Sequence, residues 1–273
     1  MRSRVSRSAA LPERVDPRLW AGTGLPAVIA AVFLASGCQP QLVVGTWACP
    51  VPDAGQLMSI DVPWTTGFET GFCDYARAGG LCFADADASS QIVDTPVHGG
   101  GHAAAFSVTS DPSKNGGQAR CYLQGALPPA ALYGAWFYFP APAKNTGNWN
   151  LVHFQGGTPS AWHTLWDVSV ATATDGSLSL YLYDNLTAAV RMPDVTRPLP
   201  VGSWVHVELR LVRAKDATGE VALYQDGTLL LERTGLVTDD SDLGQWYVGD
   251  LANALTPPDS TLYVDDVTIR AAP

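Results

Sequence analysis

Positive charge is scarce in this sequence: Lys and Arg total 16 of 273 residues against 26 Asp and Glu, a net charge of −10. A surface so biased repels phosphate backbones, which removes nucleic acid from the partners. Glutamate is scarcer still, occurring only at positions 13, 69, 208, 220 and 232. Glycosidases need two carboxylates roughly 5 to 9 Å apart across the scissile bond, and no glutamate-rich strand supplies such a pair. CxxC and HExxH spacings are absent as well, so no zinc site is expected. No segment carries an apolar period of 3.6 over three turns, which confines helix to short surface pieces. No apolar run reaches the roughly 20 residues that a membrane-spanning helix requires.

What is present begins with a basic leader, Arg2, Arg4, Arg7, Arg14 and Arg18, followed by the apolar stretch Leu25 to Ala35 and the small residues Ser36 and Gly37 before Cys38. That order reads as an export signal over residues 1–37. Its removal leaves 11 basic against 24 acidic residues, a net charge of −13. Residues 38–63, with Pro40, Pro50, Pro52 and Pro63 and little periodicity, read as a tether. Residues 64–273 are long enough for one large all-β domain. Four cysteines remain beyond Cys38, an even number that in an exported chain favours disulfides. Of the three connectivities, Cys73–Cys82 with Cys49–Cys121 is preferred, because it closes a short loop and ties the lead-in to the domain.

From Phe68 onward, short runs of Val, Leu, Tyr, Trp and Thr are separated about every ten residues by Gly, Asp, Asn and Pro. This spacing predicts an antiparallel two-sheet sandwich. The clearest strand is 204–212, where Val205, Val207, Leu209 and Leu211 face one way and Trp204, His206, Glu208 and Arg210 the other. Further strands are expected at 103–108, 118–123, 131–139, 150–155, 164–171, 178–183, 220–225, 228–233, 245–249 and 261–269. Asp226-Gly227 predicts a type I′ hairpin between two of them.

Two resemblances add to this reading. Ala35-Ser36-Gly37-Cys38 resembles the bacterial lipobox, which implies acylation of Cys38, and Gln39 in place of aspartate implies the outer membrane. Gly202-Ser-Trp-Val-His-Val-Glu-Leu with Gly219-Glu-Val-Ala-Leu-Tyr-Gln-Asp-Gly227, Phe68-Glu-Thr-Gly71 with Val97-His-Gly-Gly-Gly-His-Ala-Ala-Ala-Phe106 and Leu262-Tyr-Val-Asp-Asp-Val-Thr-Ile269, and Tyr133-Gly-Ala-Trp-Phe-Tyr-Phe-Pro140 with Asn148-Trp-Asn-Leu-Val-His-Phe-Gln155 together look like the concanavalin A-like lectin and glucanase superfamily. Its laminin-G-like and polysaccharide-lyase-like branches are the nearest in pattern. The resemblance implies a jelly roll with a sugar-binding concave face.

Aromatic rings stack on sugar faces, so alternate aromatic and polar positions are the candidates for ligand binding: Tyr181, Tyr183, His153, Gln155, His163 and Trp204. Each outward aromatic also has a plainer reading as a cover for the core edge. Lyases of this architecture place a glutamine and a histidine two apart, with a tyrosine and an arginine near them. His153, Gln155, Arg120 and Tyr181 (or Tyr183) are the corresponding catalytic candidates, for charge neutralisation, proton abstraction and leaving-group protonation. The chain departs from that pattern in two respects. The glutamine and histidine stand in reverse order, and no acid follows two residues after Arg120. Glu69, Asp265 and Asp266 become neighbours if the first and last strands pair, and they are the candidate ligands of a structural calcium; turn capping, or pairing with Arg270 or Arg77, is the alternative. No other cofactor is required. His98 and His102 flank a triple glycine, which reads as a flexible connection.

The leading expectation is therefore an exported, surface-anchored lipoprotein that binds a polysaccharide and meets the membrane only through its lipid. One alternative is a polysaccharide lyase acting on a uronate polymer by β-elimination. The other is a non-catalytic laminin-G-like adhesion domain.

Overall fold

The computed structural model describes residues 41–44, 47–50, 57–113 and 116–272. The leader and Cys38 lie outside the described residues. In chain order the strands of the first half are β1 Gln41–Val44, β2 Trp47–Pro50, β3 Met58–Ser59, β4 Trp64–Thr66, β5 Leu81–Ala84, β6 Ala88–Val93, β7 Ala103–Thr109, β8 Gly117–Ala126, β9 Ala130–Tyr138 and β10 Lys144–Asn145. The second half adds β11 Trp149–Thr158, β12 Ala161–Thr172, β13 Leu178–Asp184, β14 Ala189–Arg191, β15 Pro198–Leu199, β16 Trp204–Val212, β17 Gly219–Gln225, β18 Thr228–Leu236, β19 Leu243–Ala252, β20 Leu255–Thr256 and β21 Asp259–Ala271. One short helix, α1 Cys73–Arg77, lies between β4 and β5.

The strands form two large sheets, as the period-two pattern requires. The first runs β14-β13-β12-β11-β19-β8-β3, with β15 on β13 and β5 on β8. The second runs β18-β17-β16-β9-β21-β7-β6, with β4 on β21. This is the all-β jelly-roll sandwich expected from the sequence. Strand 204–212 has the expected bounds, and Asp226 and Gly227 take φ of 48° and 73°, the double positive φ of a type I′ turn.

Between the sheets every second side chain is buried. Trp166, Trp246, Phe154 and Leu123 come from the first sheet, and Phe106, Tyr133 and Phe137 from the second. Tyr133 meets Phe154 edge-on at 4.9 Å between ring centroids and Trp246 at 5.2 Å, joining the two layers. Offset and edge-on ring pairs of this kind add to the area they bury.

The disulfides are Cys49–Cys73 and Cys82–Cys121, not the expected pairs. Cys82 in β5 stands directly opposite Cys121 in β8, a cross-strand position that no other described cysteine shares. Cys73, at the start of α1, is left to receive Cys49 from the β1–β2 hairpin. Spacing favoured the short 73–82 loop, but sheet register decides the matter by placing two sulfurs across one ladder.

Candidate active site

The outer face of the first sheet carries one continuous cross-strand row. Tyr183 on β13 pairs with Asp167 on β12, Asp167 with His153 on β11, His153 with Tyr247 on β19, and Tyr247 with Tyr122 on β8. Directly paired residues share a face, so five consecutive strands present these side chains together. Their sequence neighbours Trp166, Val152, Trp246 and Cys121 point into the core. This alternation holds the polar row against the rigid layer beneath it.

His153 is 8% exposed and its Nδ1 lies 2.5 Å from Oδ1 of Asp167. A carboxylate only accepts, so Nδ1 carries the proton and Nε2 keeps a free lone pair. The carboxylate is fixed in turn by Asn150 Nδ2 at 2.6 Å and Asn185 Nδ2 at 2.9 Å. Burial lowers the His153 pKa below its ordinary value, more than the Asp167 hydrogen bond raises it. The imidazole is therefore neutral and oriented at neutral pH, the state of a general base.

The Tyr247 ring lies 5.2 Å from the His153 ring, and its hydroxyl donates to Gln245 Oε1 at 2.6 Å, with Gln155 Oε1 at 3.4 Å. Burial pushes its pKa up to about 12, against the opposing pull of Arg120, so the phenol keeps its proton. The Arg120 guanidinium sits 4.7 Å over the same ring. Its Nη2 donates to Gln118, while Nε and Nη1 have no partner among the described residues. Burial lowers its pKa to about 10, although Tyr247, Asp167, Asp85 and Asp250 favour the charge. A cation with unspent N–H donors suits a carboxylate, whose oxygens accept charge-assisted hydrogen bonds.

Room for Arg120 comes from a bulge. Gly249 and Asp250 together stand opposite Leu151, between the pairs Asn150–Leu251 and Val152–Val248. Gly249 has φ of 147°, and a Cβ there would lie 2.5 Å from the Ala119 carbonyl oxygen and 2.8 Å from the Arg120 Cα. Only glycine lets the two strands and the arginine stem approach so closely.

The candidates from sequence divide accordingly. His153, Gln155 and Arg120 converge on Tyr247. Tyr181 does not; it pairs with Ser169 two residues further along, on a strand separated from β11 by β12, so the tyrosine beside His153 is Tyr247. Tyr181 and Tyr183 line a cavity of about 280 Å³ with Asp167 and Asn185, next to the cluster. His163 is one residue out of phase with Thr164, the partner of Gln155, and binds Asp240 at 2.7 Å instead. Trp204 lies on the second sheet, paired with Tyr138, and is not part of this face. Both sheets share one hydrophobic period, so the sequence did not reveal which layer that strand joins.

Tyr247, Asp167, Asn150, Asn185 and Tyr122 were missed. The signal was faint but present in Gln245-Trp-Tyr247 and in an aspartate inside the apolar run Leu165 to Val170.

Glu69, Asp265 and Asp266 do gather, because β4 pairs with β21. Their oxygens are occupied by the 98–102 loop: Asp265 accepts the amides of His98 and Gly99, Glu69 those of Gly101 and His102, and Asp266 meets His98 Nδ1 at 2.6 Å. Among the described residues no group of three or more His, Cys, Asp or Glu could hold a metal ion, so the expected calcium is not supported. Arg77 and Arg270 pair elsewhere, with Asp74 and Glu208.

The polysaccharide lyase family pattern matches residues 63–268. The chain belongs to the polysaccharide lyase family. No curated protein matches it. Among solved structures, this family member resembles the endo-β-1,4-glucuronan lyase of the fungus Trichoderma reesei at 20% identity and a TM-score of 0.55, covering 70% of this chain and 90% of that one. It also resembles the PL-14 alginate lyase of Aplysia kurodai at 13% identity and a TM-score of 0.50, covering 77% and 98%. These likenesses establish a shared sandwich. The family match, not these likenesses, favours the lyase alternative over the binding-only reading that led the sequence analysis.

Proposed function

We propose that this protein cleaves a uronate-containing polysaccharide by β-elimination at the Asp167–His153–Tyr247–Arg120 cluster. The observation that carries the reading is the meeting, on one sheet face, of a neutral oriented imidazole, a protonated phenol and a buried cation with spare donors. β-Elimination needs one of each. Arg120 binds the uronate carboxylate and stabilises the charge that develops there as the neighbouring C5 proton leaves. His153 Nε2 takes that proton, the electron pair forms the C4–C5 double bond, and the C4–O bond breaks. The departing oxygen receives the Tyr247 proton, and solvent exchange resets both residues. Gln155 and Gln245 hold the hydroxyl in place.

The substrate class follows from the arginine, and the named relatives act on glucuronan and alginate. The test is ultraviolet detection of new unsaturated ends when the chain lacking residues 1–38 meets glucuronan, alginate, a heparin-type polymer or a neutral glucan. Unsaturated product from at least one acidic polymer and none from the neutral one is expected. Retarded migration in a glycan gel with no product from any polymer would return the protein to the binding-only reading.

Export and lipid attachment at Cys38 complete the proposal, supported by the leader, the lipobox-like tetrad and two disulfides suited to an oxidising compartment. Mass spectrometry of the mature N-terminus should find an acylated Cys38; an unmodified N-terminus elsewhere overturns that part.

A further inference from the structure

Two more cavities continue from the one beside Asp167. That first cavity shares Gly147 and Tyr181 with a second of about 330 Å³, flanked by Val190 and Met192. The second shares Asn145, Thr146 and Thr172 with a third of about 650 Å³, which ends at Lys144 and Thr174. From Asp167 to Thr172 the groove follows β12 for roughly 17 Å at ~3.4 Å per residue. Several sugar rings fit along such a length.

The wall is built in advance. Asn145 donates from Nδ2 to the Val170 carbonyl at 2.8 Å and from its backbone to Thr172 Oγ1 at 2.8 Å. Its own Oδ1 accepts from the Gly147 amide at 3.0 Å, and the Asn148 amide donates to Asn253 Oδ1 at 2.8 Å. A wall held this way loses little entropy when a ligand arrives.

Charge gives the groove a direction. Lys144 is the only Lys or Arg lining the three cavities, and Asp167 at the opposite end is the only acid. Lys144 is exposed and makes no ion pair among the described residues. Val190 and Met192, 56% and 53% exposed, add an apolar flank beside the half-buried Tyr181. On a chain of net charge −10, one unpaired cation distant from any groove acid is where a polyanion gains most.

We infer that this groove is a run of subsites for one arm of the uronate chain, with Tyr181 as the stacking platform and Lys144 as the carboxylate anchor at its far end. The inference rests on the lyase reading and adds its polarity: the long arm of the polymer lies over β12 and β13 toward Lys144, and short substrates do not reach the anchor.

The test compares wild type with Lys144→Gln, Lys144→Arg and Tyr181→Ala on the cleaved polymer and on its shortest cleavable oligosaccharide. Lys144→Gln should raise KM for the polymer roughly three- to five-fold at low salt, the range of an exposed ion pair. The rise should vanish at high salt, be absent on the shortest substrate and be rescued by Lys144→Arg. Tyr181→Ala should raise polymer KM without the salt dependence. An unchanged polymer KM in Lys144→Gln, with wild type cleaving normally, overturns the inference and leaves the lyase reading standing. If wild type cleaves nothing, that reading fails, and retardation of migration in a gel containing glucuronan decides the groove: loss of retardation in Lys144→Gln supports it and unchanged retardation overturns it.

Discussion

The outer faces of the two sheets look alike in sequence and differ in what their polar groups do. On the second sheet, Trp136 stacks on His98 at 3.7 Å and 16° and meets His206 at 5.1 Å, while Tyr138 packs against Trp204 and Tyr263. Glu208 takes three hydrogen bonds from Arg270, all between 2.7 and 2.9 Å. Rings there cover rings, and Glu208 and Arg270 are spent on one another, while the one buried charged atom left unspent there among the described residues, Arg210 Nε, sits beside Glu220. On the first sheet, Arg120 keeps two nitrogens without a partner and His153 is tied at one nitrogen only, among the described residues. Aromatic and polar alternation marks any outward sheet face. What distinguishes the first face is that its unspent capacity gathers, with Arg120, Tyr247 and His153 in one cluster. Such capacity is costly unless a ligand uses it.

The contrast can be broken most sharply at Tyr247. Tyr247→Phe keeps the ring under Arg120 and removes the proton donor, so kcat should fall by about 10²–10⁴ with the melting temperature nearly unchanged. Asp167→Asn places an amide donor against His153 Nδ1 and moves the imidazole proton to Nε2, where it blocks proton abstraction. A loss on the order of 10²–10⁴ in kcat is expected, with binding of uncleaved polymer retained.

The pH profile sharpens the same side. His153 must be neutral, so kcat/KM should rise as pH increases through a value below the usual imidazole pKa of 6.5. Arg120 must be charged, so activity should fall as pH passes about 10, before Tyr247 ionises near 12. A limb at the unshifted histidine value would remove burial of His153 from the account.

Asp250, behind Arg120, tests stability rather than rate. It is fully buried, accepts a bond from Trp149 Nε1 at 3.0 Å, and has its pKa raised by burial to about 7. Its folded-state pKa exceeds the unfolded value of 3.8, so the unfolded chain loses its proton first and stability falls as pH climbs from about 4 to 7. Asp250→Asn should remove that slope and raise the melting temperature at pH 8, with a gain of at most a few kcal/mol.

The smallest effects belong to the second sheet. Arg270→Ala leaves Glu208, 5% exposed, without its partner and should cost about 1–3 kcal/mol of stability with kcat intact. Trp204→Ala should change turnover less than two-fold. A large loss of turnover in either variant would erase the distinction between the faces.

The amino-acid sequence determined the sandwich. Alternation at 204–212 and Asp-Gly at 226–227 follow from local period and turn chemistry, and the approach of Glu69 to Asp265 and Asp266 from the resemblance to jelly rolls whose first and last strands pair. It also placed His153, Gln155 and Arg120 among the site candidates. Which strand joins which layer, and in what register, was decided only by tertiary structure. Side-chain period is two on both sheets, so nothing local says that Tyr247 and not Tyr181 stands beside His153, that Trp204 faces the other way, or that Cys82 lies across from Cys121. Those facts come from hydrogen-bonded pairing between residues far apart in the chain, and a ladder's register is fixed by the whole core it covers.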